Sequence, residues 1–166
     1  LIIIGILIKT NSKGPAIIWS RRIGYLSSEF YMPKFRTMYI NTPQVATHLL
    51  DNPHRYITGF GSFLRKFSLD ELPQVYSIIK GDMNFIGPRP ALYNQYDLIN
   101  LRKKNNVDLI KPGITGWAQI NGRDDLEIGE KVILDKYYIK NKSFKINVHI
   151  IIKTVLNSIV KKNVSH

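Results

Sequence analysis

The sequence AIIWSRRIGYLSSEFYMPKFRTM, residues 16–38, decides the β part of the fold. Two runs rich in β-branched and aromatic residues flank the turn-like segment YLSS, which predicts an antiparallel hairpin. Pro33 has no N–H to donate to a neighbouring strand, so we expect it on an edge of the sheet. Because side chains alternate along a strand, Lys34 and Arg36 should project from one face and Phe35 from the other.

Helical patterns follow the hairpin along the chain. A helix is expected at 74–80, and Gly81 should end it. A second helix is expected at 92–104, and short helices or turns are expected at 42–50 and at 61–66. Residues 111–123 should form a glycine-rich loop that ends in an Asn–Gly turn.

The clearest helical pattern lies near the C-terminus, where apolar residues recur at helical spacing. These residues are Val148, Ile151, Ile152, Val155 and Ile159. Lysine and asparagine fill much of the remainder, so the predicted helix is amphipathic and basic. We expect its apolar stripe to pack against the domain's own core, with binding in the plane of a membrane interface as the alternative. Together these elements predict the α+β fold class: a small, mostly helical domain with a short β-hairpin.

Composition narrows the class of protein. The 166 residues are 44% hydrophobic and 22% charged, which excludes both a disordered tail and a bundle of membrane spans. Lys and Arg number 24 against 12 Asp and Glu, giving a net charge of +12. Polyanions, phosphorylated small molecules and anionic membrane surfaces are therefore the expected partners. The chain has no Cys, which excludes disulfides and thiolate metal sites.

The apolar run LIIIGILI occupies residues 1–8. As a helix it would be about 12 Å long, whereas the hydrocarbon core of a membrane is roughly 30 Å thick. The run is therefore too short to span. Because the chain starts at Leu1 rather than Met, and Lys9 follows the run, we expect the run to be the end of a longer hydrophobic membrane segment. A truncated element of the core is the alternative.

The segment SLDELPQ, residues 68–74, places Asp70 and Glu71 side by side where a helix begins. One explanation is structural, since Ser68 followed three residues later by Glu71 matches a capping box, and acids are favoured in a first helical turn. The other is chemical, since a carboxylate held there suits a nucleophile or a metal ligand. On spacing alone, capping is the more common of the two.

The segment KGDMNFIGPRP, residues 80–90, favours the chemical explanation. Arg89 lies between Pro88 and Pro90, whose rings restrict the backbone around it. A guanidinium presented from such a backbone suits recognition of phosphate. Lys34 and Arg36, the two cations predicted on the hairpin, would add positive charge for binding phosphate. The alternatives are a plain rigid loop for the prolines and a solvated basic face for the cations.

Four motifs carry a resemblance to a known family. They are KFRTM at 34–38, SLDELPQ at 68–74, KGDMNFIGPRP at 80–90 and KPGITGWAQINGR at 111–123. In order and spacing they are similar to the bacterial sugar transferase family, the monotopic polyprenyl-phosphate phosphoglycosyl transferases. Each motif alone is weak evidence, whereas four together are specific. The similarity runs from about Gly14 to the C-terminus, nearly the whole chain.

The resemblance implies a reaction at phosphorus. Members of this family move a sugar 1-phosphate from a UDP-sugar to polyprenyl phosphate, such as undecaprenyl phosphate, and release UMP. By similarity, Asp70 is the nucleophile that forms a covalent phosphosugar intermediate, with Mg²⁺ bound beside it, and Glu71 is the second catalytic carboxylate. Arg89, together with Pro88 and Pro90, matches the substrate-binding motif and would hold the nucleotide end. A hard divalent ion bound by carboxylates and phosphate oxygens agrees with this assignment.

Three further cations are assigned to substrate binding by their charge and their place in the motifs. These residues are Lys34, Arg36 and Arg123. We expect them to neutralise the diphosphate as its sugar phosphate is transferred, because fixed positive charges stabilise the charge that develops there.

The resemblance also implies a location and partners. The family begins with a re-entrant hydrophobic helix on the cytoplasmic side of the bacterial inner membrane, and residues 1–10 resemble its C-terminal part. Residues 11–166 would then be the catalytic domain, facing the cytoplasm. The implied partners are the UDP-sugar, the polyprenyl phosphate and the membrane surface, with no nucleic acid, and a homodimer is compatible with this. The product would start assembly of a cell-surface glycan such as exopolysaccharide or lipopolysaccharide O-antigen.

Three rival functions make different predictions. A nucleic-acid-binding module fits the charge of +12, but a stacking surface needs aromatic residues interleaved with Lys and Arg, and KFRTM offers only Phe35. A catalytically silent scaffold at the membrane surface would not need Asp70, Glu71 and Arg89 together. A conventional glycosyltransferase would release UDP instead of UMP.

Overall fold

The computed structural model describes residues 1–43, 51–122 and 125–160. Within these ranges the chain forms seven α-helices and five short strands, which confirms the α+β class. The helices are α1 (Ile2–Asn11), α2 (Gly59–Lys66), α3 (Val75–Lys80), α4 (Tyr96–Lys104), α5 (Trp117–Ile120), α6 (Ile128–Asn141) and α7 (Phe144–Val160). The strands are β1 (Ile17–Ile23), β2 (Glu29–Phe35), β3 (Asn84–Ile86), β4 (Ala91–Leu92) and β5 (Gly113–Thr115). Short 3₁₀ helices occupy Tyr25–Ser27, Pro53–Tyr56, Leu69–Gln74 and Val107–Leu109.

The predicted hairpin is confirmed. Strands β1 and β2 pair antiparallel, with Trp19 opposite Pro33, and the 3₁₀ turn Tyr25–Ser27 joins them. The three-stranded sheet has the order β2, β1, β4, so β2 is an edge strand and Pro33 lies where a missing N–H is tolerated.

Strands β3 and β5 form a separate parallel pair, and here the prediction of a continuous loop at 111–123 is wrong. That segment contains β5 and the single-turn helix α5. A Cβ on Gly113 would collide with the backbone of Gly87. The glycines that resemble loop residues in the sequence therefore allow two backbones to approach closely.

The predicted helices are found with shifted boundaries. Helix α3 ends at Gly81, whose φ of +90° suits a residue without a Cβ. The helix expected from residue 92 begins at Tyr96, because Leu92 is taken up by β4, which pairs with the end of β1. Helix α2 covers the stretch expected at 61–66. Residues 44–50 of the other expected stretch lie outside the described ranges.

The C-terminal helix is confirmed as α7, but most of its apolar stripe does not pack on the core. Ile150 is fully buried, while Thr154 shares a 2.6 Å hydrogen bond with the Thr115 hydroxyl. These residues define the inward face. The exposed side chains, each about half accessible, are Ile151, Ile152, Val155 and Leu156. The expectation that the stripe covers the domain's own core is therefore wrong for Ile151, Ile152 and Val155. Leu156 was not part of the predicted stripe.

Three hydrophobic clusters form the core of the described residues. The first joins α4, β4 and α6 through Leu98, Ala91 and Val132. The second packs Ile8 of α1 and Leu64 of α2 against β2. The third packs the other end of β2 against Met83. Strand β2 thus lies between two clusters, and its position is fixed along its length.

Helix α1 contains the apolar run at the start of the chain. One side packs through Ile8 into the second cluster. The other side exposes the apolar side chains of Ile2, Ile3, Ile6 and Leu7, and Leu1 just before the helix is exposed as well. Within the described ranges, none of the helices combines the length and the apolar character that crossing a membrane requires.

Candidate active site

Three segments that are distant in the sequence meet at the carboxylate of Glu71. Its Oε1 accepts a hydrogen bond from Arg89 Nη2 at 2.6 Å and lies 3.4 Å from Lys34 Nζ. Lys34 comes from β2, Glu71 from the 3₁₀ helix Leu69–Gln74, and Arg89 from the link between β3 and β4. The side chains are 14%, 11% and 26% exposed, respectively. Water therefore screens their charges only partly.

Asp70 lies beside this cluster. Burial raises the pKa of Asp70 above its ordinary value, the nearby cation Lys34 lowers it, and the charge of Glu71 raises it again. Arg65 and Arg89 also attract the carboxylate. Among the residues that the structure describes, none donates a hydrogen bond to the Asp70 carboxyl. Its lone pairs are therefore not committed to any described donor, while the charges of three cations act on it.

The protonation of Lys34 depends strongly on its surroundings. Burial lowers the pKa of Lys34 to about 8, with Arg89 adding to this effect and Glu71 opposing it. The ammonium is thus charged at neutral pH but loses its charge in mildly alkaline solution.

The capping box predicted between Ser68 and Glu71 is wrong. Ser68 has a left-handed φ of +54° and makes no side-chain capping bond, while the Glu71 side chain turns to the two cations. Pro73 lies inside this helix and lacks a donor, which disfavours α-helical bonding there and agrees with the 3₁₀ form. A capping box does occur at the start of α6, between Glu127 and Glu130.

The PRP loop, residues 88–90, is held by its carbonyl groups. The N–H of Gly113 donates to Pro88 O at 2.9 Å, and Arg22 Nη1 donates to Pro90 O at 3.2 Å. The carbonyl of Arg89 itself accepts from Arg102 Nη1 at 2.6 Å. Three successive carbonyls thus have donors from three different elements.

The sequence patterns did not single out several residues that the structure places here. Arg102 also donates to Asp135, a carboxylate on the buried side of α6. Arg65 donates from Nε to the Thr37 hydroxyl at 2.9 Å, and burial lowers the pKa of Arg65 although Asp70 raises it. The only sequence signal for Arg65 is its position five residues before the dyad.

Arg36, one of the predicted substrate-binding cations, does not lie at this cluster. Arg36 donates to the backbone carbonyls of Ser12 and Lys13, so its guanidinium holds the residues that follow α1. Its side chain and that of Lys34 therefore contact different parts of the fold, because β2 ends at Phe35 and the alternation of a strand no longer applies. Arg123 lies outside the described residues.

The donor set fits a metal ion that is bound jointly with a substrate. In the part of the chain that the structure describes, no group of three or more His, Cys, Asp or Glu side chains could hold a metal. Mg²⁺ needs no such group, since it is commonly bound by one or two carboxylates plus substrate phosphates. Asp70 fits that role, whereas two cations already engage Glu71.

The sequence is similar to known proteins over nearly its whole length. A family model described as "Bacterial sugar transferase" matches residues 1–161. The chain is 36% identical over 163 residues to an undecaprenyl-phosphate galactose phosphotransferase of Salmonella typhimurium. This alignment covers 87% of the chain and 33% of the relative. The chain is 39% identical over 173 residues to a UDP-glucose:undecaprenyl-phosphate glucose-1-phosphate transferase of Xanthomonas campestris pv. campestris. This alignment covers 98% of the chain and 35% of the relative.

A third relative is matched over more of its own length. The exopolysaccharide production protein ExoY of Sinorhizobium fredii is 35% identical over 170 residues, which covers 93% of this chain and 74% of the relative. The chain therefore spans about a third of the length of the first two relatives and about three quarters of the third.

Proposed function

Because the chain belongs to the bacterial sugar transferase family, we propose that it transfers a sugar 1-phosphate from a UDP-sugar to polyprenyl phosphate and releases UMP. Undecaprenyl phosphate appears in the names of two relatives, which supports it as the acceptor here. The product is a polyprenyl-diphosphate sugar. It starts assembly of a cell-surface glycan such as exopolysaccharide or lipopolysaccharide O-antigen, and the name of the third relative supports the former.

The observation that carries this proposal is the position of Asp70 among three cations, beside the pair formed by Glu71 and Arg89. A diphosphate brings negative charge to the site, and Lys34, Arg65 and Arg89 can neutralise it. The carboxylate is nevertheless free of hydrogen bonds from the described residues, so one of its oxygens can attack an electrophile. A silent scaffold gains nothing from a buried carboxyl whose pKa is raised in this way.

The proposed reaction has two steps at one phosphorus atom. An oxygen of the Asp70 carboxylate attacks the β-phosphorus of the UDP-sugar, and the bond from that phosphorus to the bridging oxygen breaks, so that UMP leaves with the bridging oxygen. An oxygen of polyprenyl phosphate then attacks the same phosphorus. The bond to Asp70 breaks, the carboxylate is regenerated, and the polyprenyl-diphosphate sugar forms.

The neighbouring residues bind and orient the reacting groups. Arg89 and Lys34 lie where they can stabilise charge on the transferring phosphate. Glu71 holds both cations in place through one oxygen. Asp70 is the residue that would hold Mg²⁺, which supplies further charge neutralisation on the phosphates when bound.

The proposed location is the cytoplasmic face of the bacterial inner membrane, as a monotopic protein. A lipid acceptor requires the site to be reached from a membrane surface. The exposed apolar sides of α1 and α7, described above, support attachment in the interface. The net charge of +12 suits anionic headgroups.

A panel of UDP-sugars with polyprenyl phosphate and Mg²⁺ tests the proposed reaction. For at least one donor, we expect UMP and polyprenyl-diphosphate sugar to appear in equal amounts. Chromatographic separation of UMP from UDP provides the measurement, and omission of the lipid acceptor provides the control. Release of UDP would instead identify a conventional glycosyltransferase, and absence of turnover with every donor would contradict enzymatic function.

Replacing Lys34 with Arg should change the pH dependence of the reaction. In the unmodified protein, kcat/KM should fall as pH rises through about 8, because Lys34 then loses its charge. An Arg at this position stays charged, so the alkaline fall should move to higher pH even if the variant is slower overall. The measurement is kcat/KM across neutral and alkaline pH.

The matched control for this experiment is Lys80→Arg. Lys80 is exposed and pairs with Asp82 on the surface, so its replacement should leave the profile unchanged. An identical alkaline fall in the unmodified protein and in Lys34→Arg would show that another group controls it.

A further inference from the structure

We infer that Arg102 and Asp135 are positioning residues that fix the direction of the Arg89 side chain; this inference rests on the function proposed above. Arg102 Nη1 donates to the Arg89 carbonyl at 2.6 Å. Its Nε and Nη2 donate to Asp135 Oδ2 at 3.1 and 2.7 Å. One guanidinium therefore bridges a buried carboxylate on α6 and the backbone of the PRP loop.

The PRP loop depends on such external donors. Pro88 and Pro90 have no N–H, so the loop can be fixed mainly through its carbonyl oxygens. Of the three donors described above, Arg102 is the one that bonds the carbonyl of Arg89 itself. A charged donor makes a stronger hydrogen bond than a neutral one. The peptide plane that follows the Arg89 Cα is thereby fixed, and the guanidinium is directed to Glu71 at 2.6 Å.

Asp135 in turn determines where the Arg102 guanidinium lies. The Asp135 side chain is 1% exposed and that of Arg102 is 11% exposed. Asp135 lies on the same side of α6 as the buried residues Val132 and Tyr138. Two of the three observed Arg102 bonds are made to this one oxygen, so the planar group has little freedom to rotate.

Stability alone does not explain why a charged pair lies in this place. Moving two charges out of water is costly, and buried pairs can often be replaced by apolar residues of similar volume without loss of stability. Burial raises the pKa of Asp135 despite the neighbouring Arg102, which agrees with such a cost. The bond to the Arg89 carbonyl is what an apolar pair could not provide.

The variant Arg102→Lys tests this inference. It keeps a cation beside Asp135, so we expect the chain to fold, but an ammonium cannot form both sets of bonds in one plane. With Arg89 misdirected, kcat/KM should fall about 100-fold, as expected for a displaced substrate-orienting group. The control Glu29→Gln breaks the exposed pair with Arg21 and should leave kcat/KM unchanged.

A double variant separates positioning from stability. Arg102→Met combined with Asp135→Leu removes both charges, so thermal unfolding should remain close to that of the unmodified chain while kcat/KM stays low. The Nε–H resonance of Arg89, identified by its loss in Arg89→Lys, should shift in both test variants and not in Glu29→Gln. This signal reports the Arg89 environment directly, which a purely structural role elsewhere would not change.

The outcomes distinguish this inference from the proposed function. Unmodified kcat/KM in either folded variant, or a fall without a shift of the Arg89 resonance, would overturn the positioning role. If the unmodified chain transfers no sugar phosphate, the proposed function fails, and the resonance alone decides whether Arg102 and Asp135 orient Arg89. If the double variant does not fold, Arg102→Lys carries the test.

Discussion

Replacing Asp70 with Asn is expected to abolish transfer, with kcat lowered by at least about 10³-fold. The amide has nearly the shape of the carboxylate but cannot form the bond to phosphorus. The fold should persist, because none of the described residues donates a hydrogen bond to Asp70 and burial already disfavours its charge. Initial rates of UMP release from the UDP-sugar provide the measurement, with circular dichroism as the check of folding.

A second readout addresses the covalent step directly. In the unmodified protein with Mg²⁺, labelled UMP should exchange into the UDP-sugar without any lipid acceptor, because the first step is reversible by itself. Asp70→Asn should show no exchange, whereas Asp97→Asn, an exposed acid on α4, should behave as the unmodified chain. Exchange at the normal rate in Asp70→Asn would remove Asp70 from the nucleophile role.

Replacing Arg89 with Ala is expected to lower kcat/KM for the UDP-sugar by about 10²–10³-fold. The change removes a guanidinium that lies 2.6 Å from Glu71 and acts on the charge of Asp70. Glu71 would then retain Lys34 as a cationic partner, and the diphosphate would lose a forked donor. Steady-state rates at varied UDP-sugar concentration provide the measurement.

The control for Arg89 is an arginine of the same charge at the surface. Arg21 pairs with Glu29 at 2.7 Å, and both side chains are nearly half exposed. Such pairs contribute little to stability, so Arg21→Ala should leave kcat/KM unchanged. Equal losses in Arg21→Ala and Arg89→Ala would indicate a general effect of positive charge, and would contradict a specific role for the PRP loop.

Elements that depend on residues close together in the sequence could be predicted from local patterns. The hairpin follows from β-prone runs around a short turn, and α3 ends at Gly81 because that position has a positive φ. The motifs also contained residues that meet, since Lys34 and Arg89 both contact Glu71 although the three lie in separate segments.

The features that were missed depend on contacts between distant segments. Gly113 resembles a loop residue, yet it serves the close pairing of β5 with β3. Asp135 interrupts the apolar face of α6, so the periodicity of that helix is weak and its partner Arg102 carries no local signal. Arg36 follows the end of β2, so strand alternation could not predict its contacts with the residues after α1.

The three donors of the PRP loop also bear on when the proposed site can assemble during folding. Arg22 lies 68 residues from the carbonyl it contacts, and the other donors come from α4 and β5. The contact of Arg22 requires closure of a long chain segment, which makes it slow to form. A nascent chain with only its local helices would contain Asp70 without an assembled loop. Unfinished copies should therefore lack the proposed transferase activity.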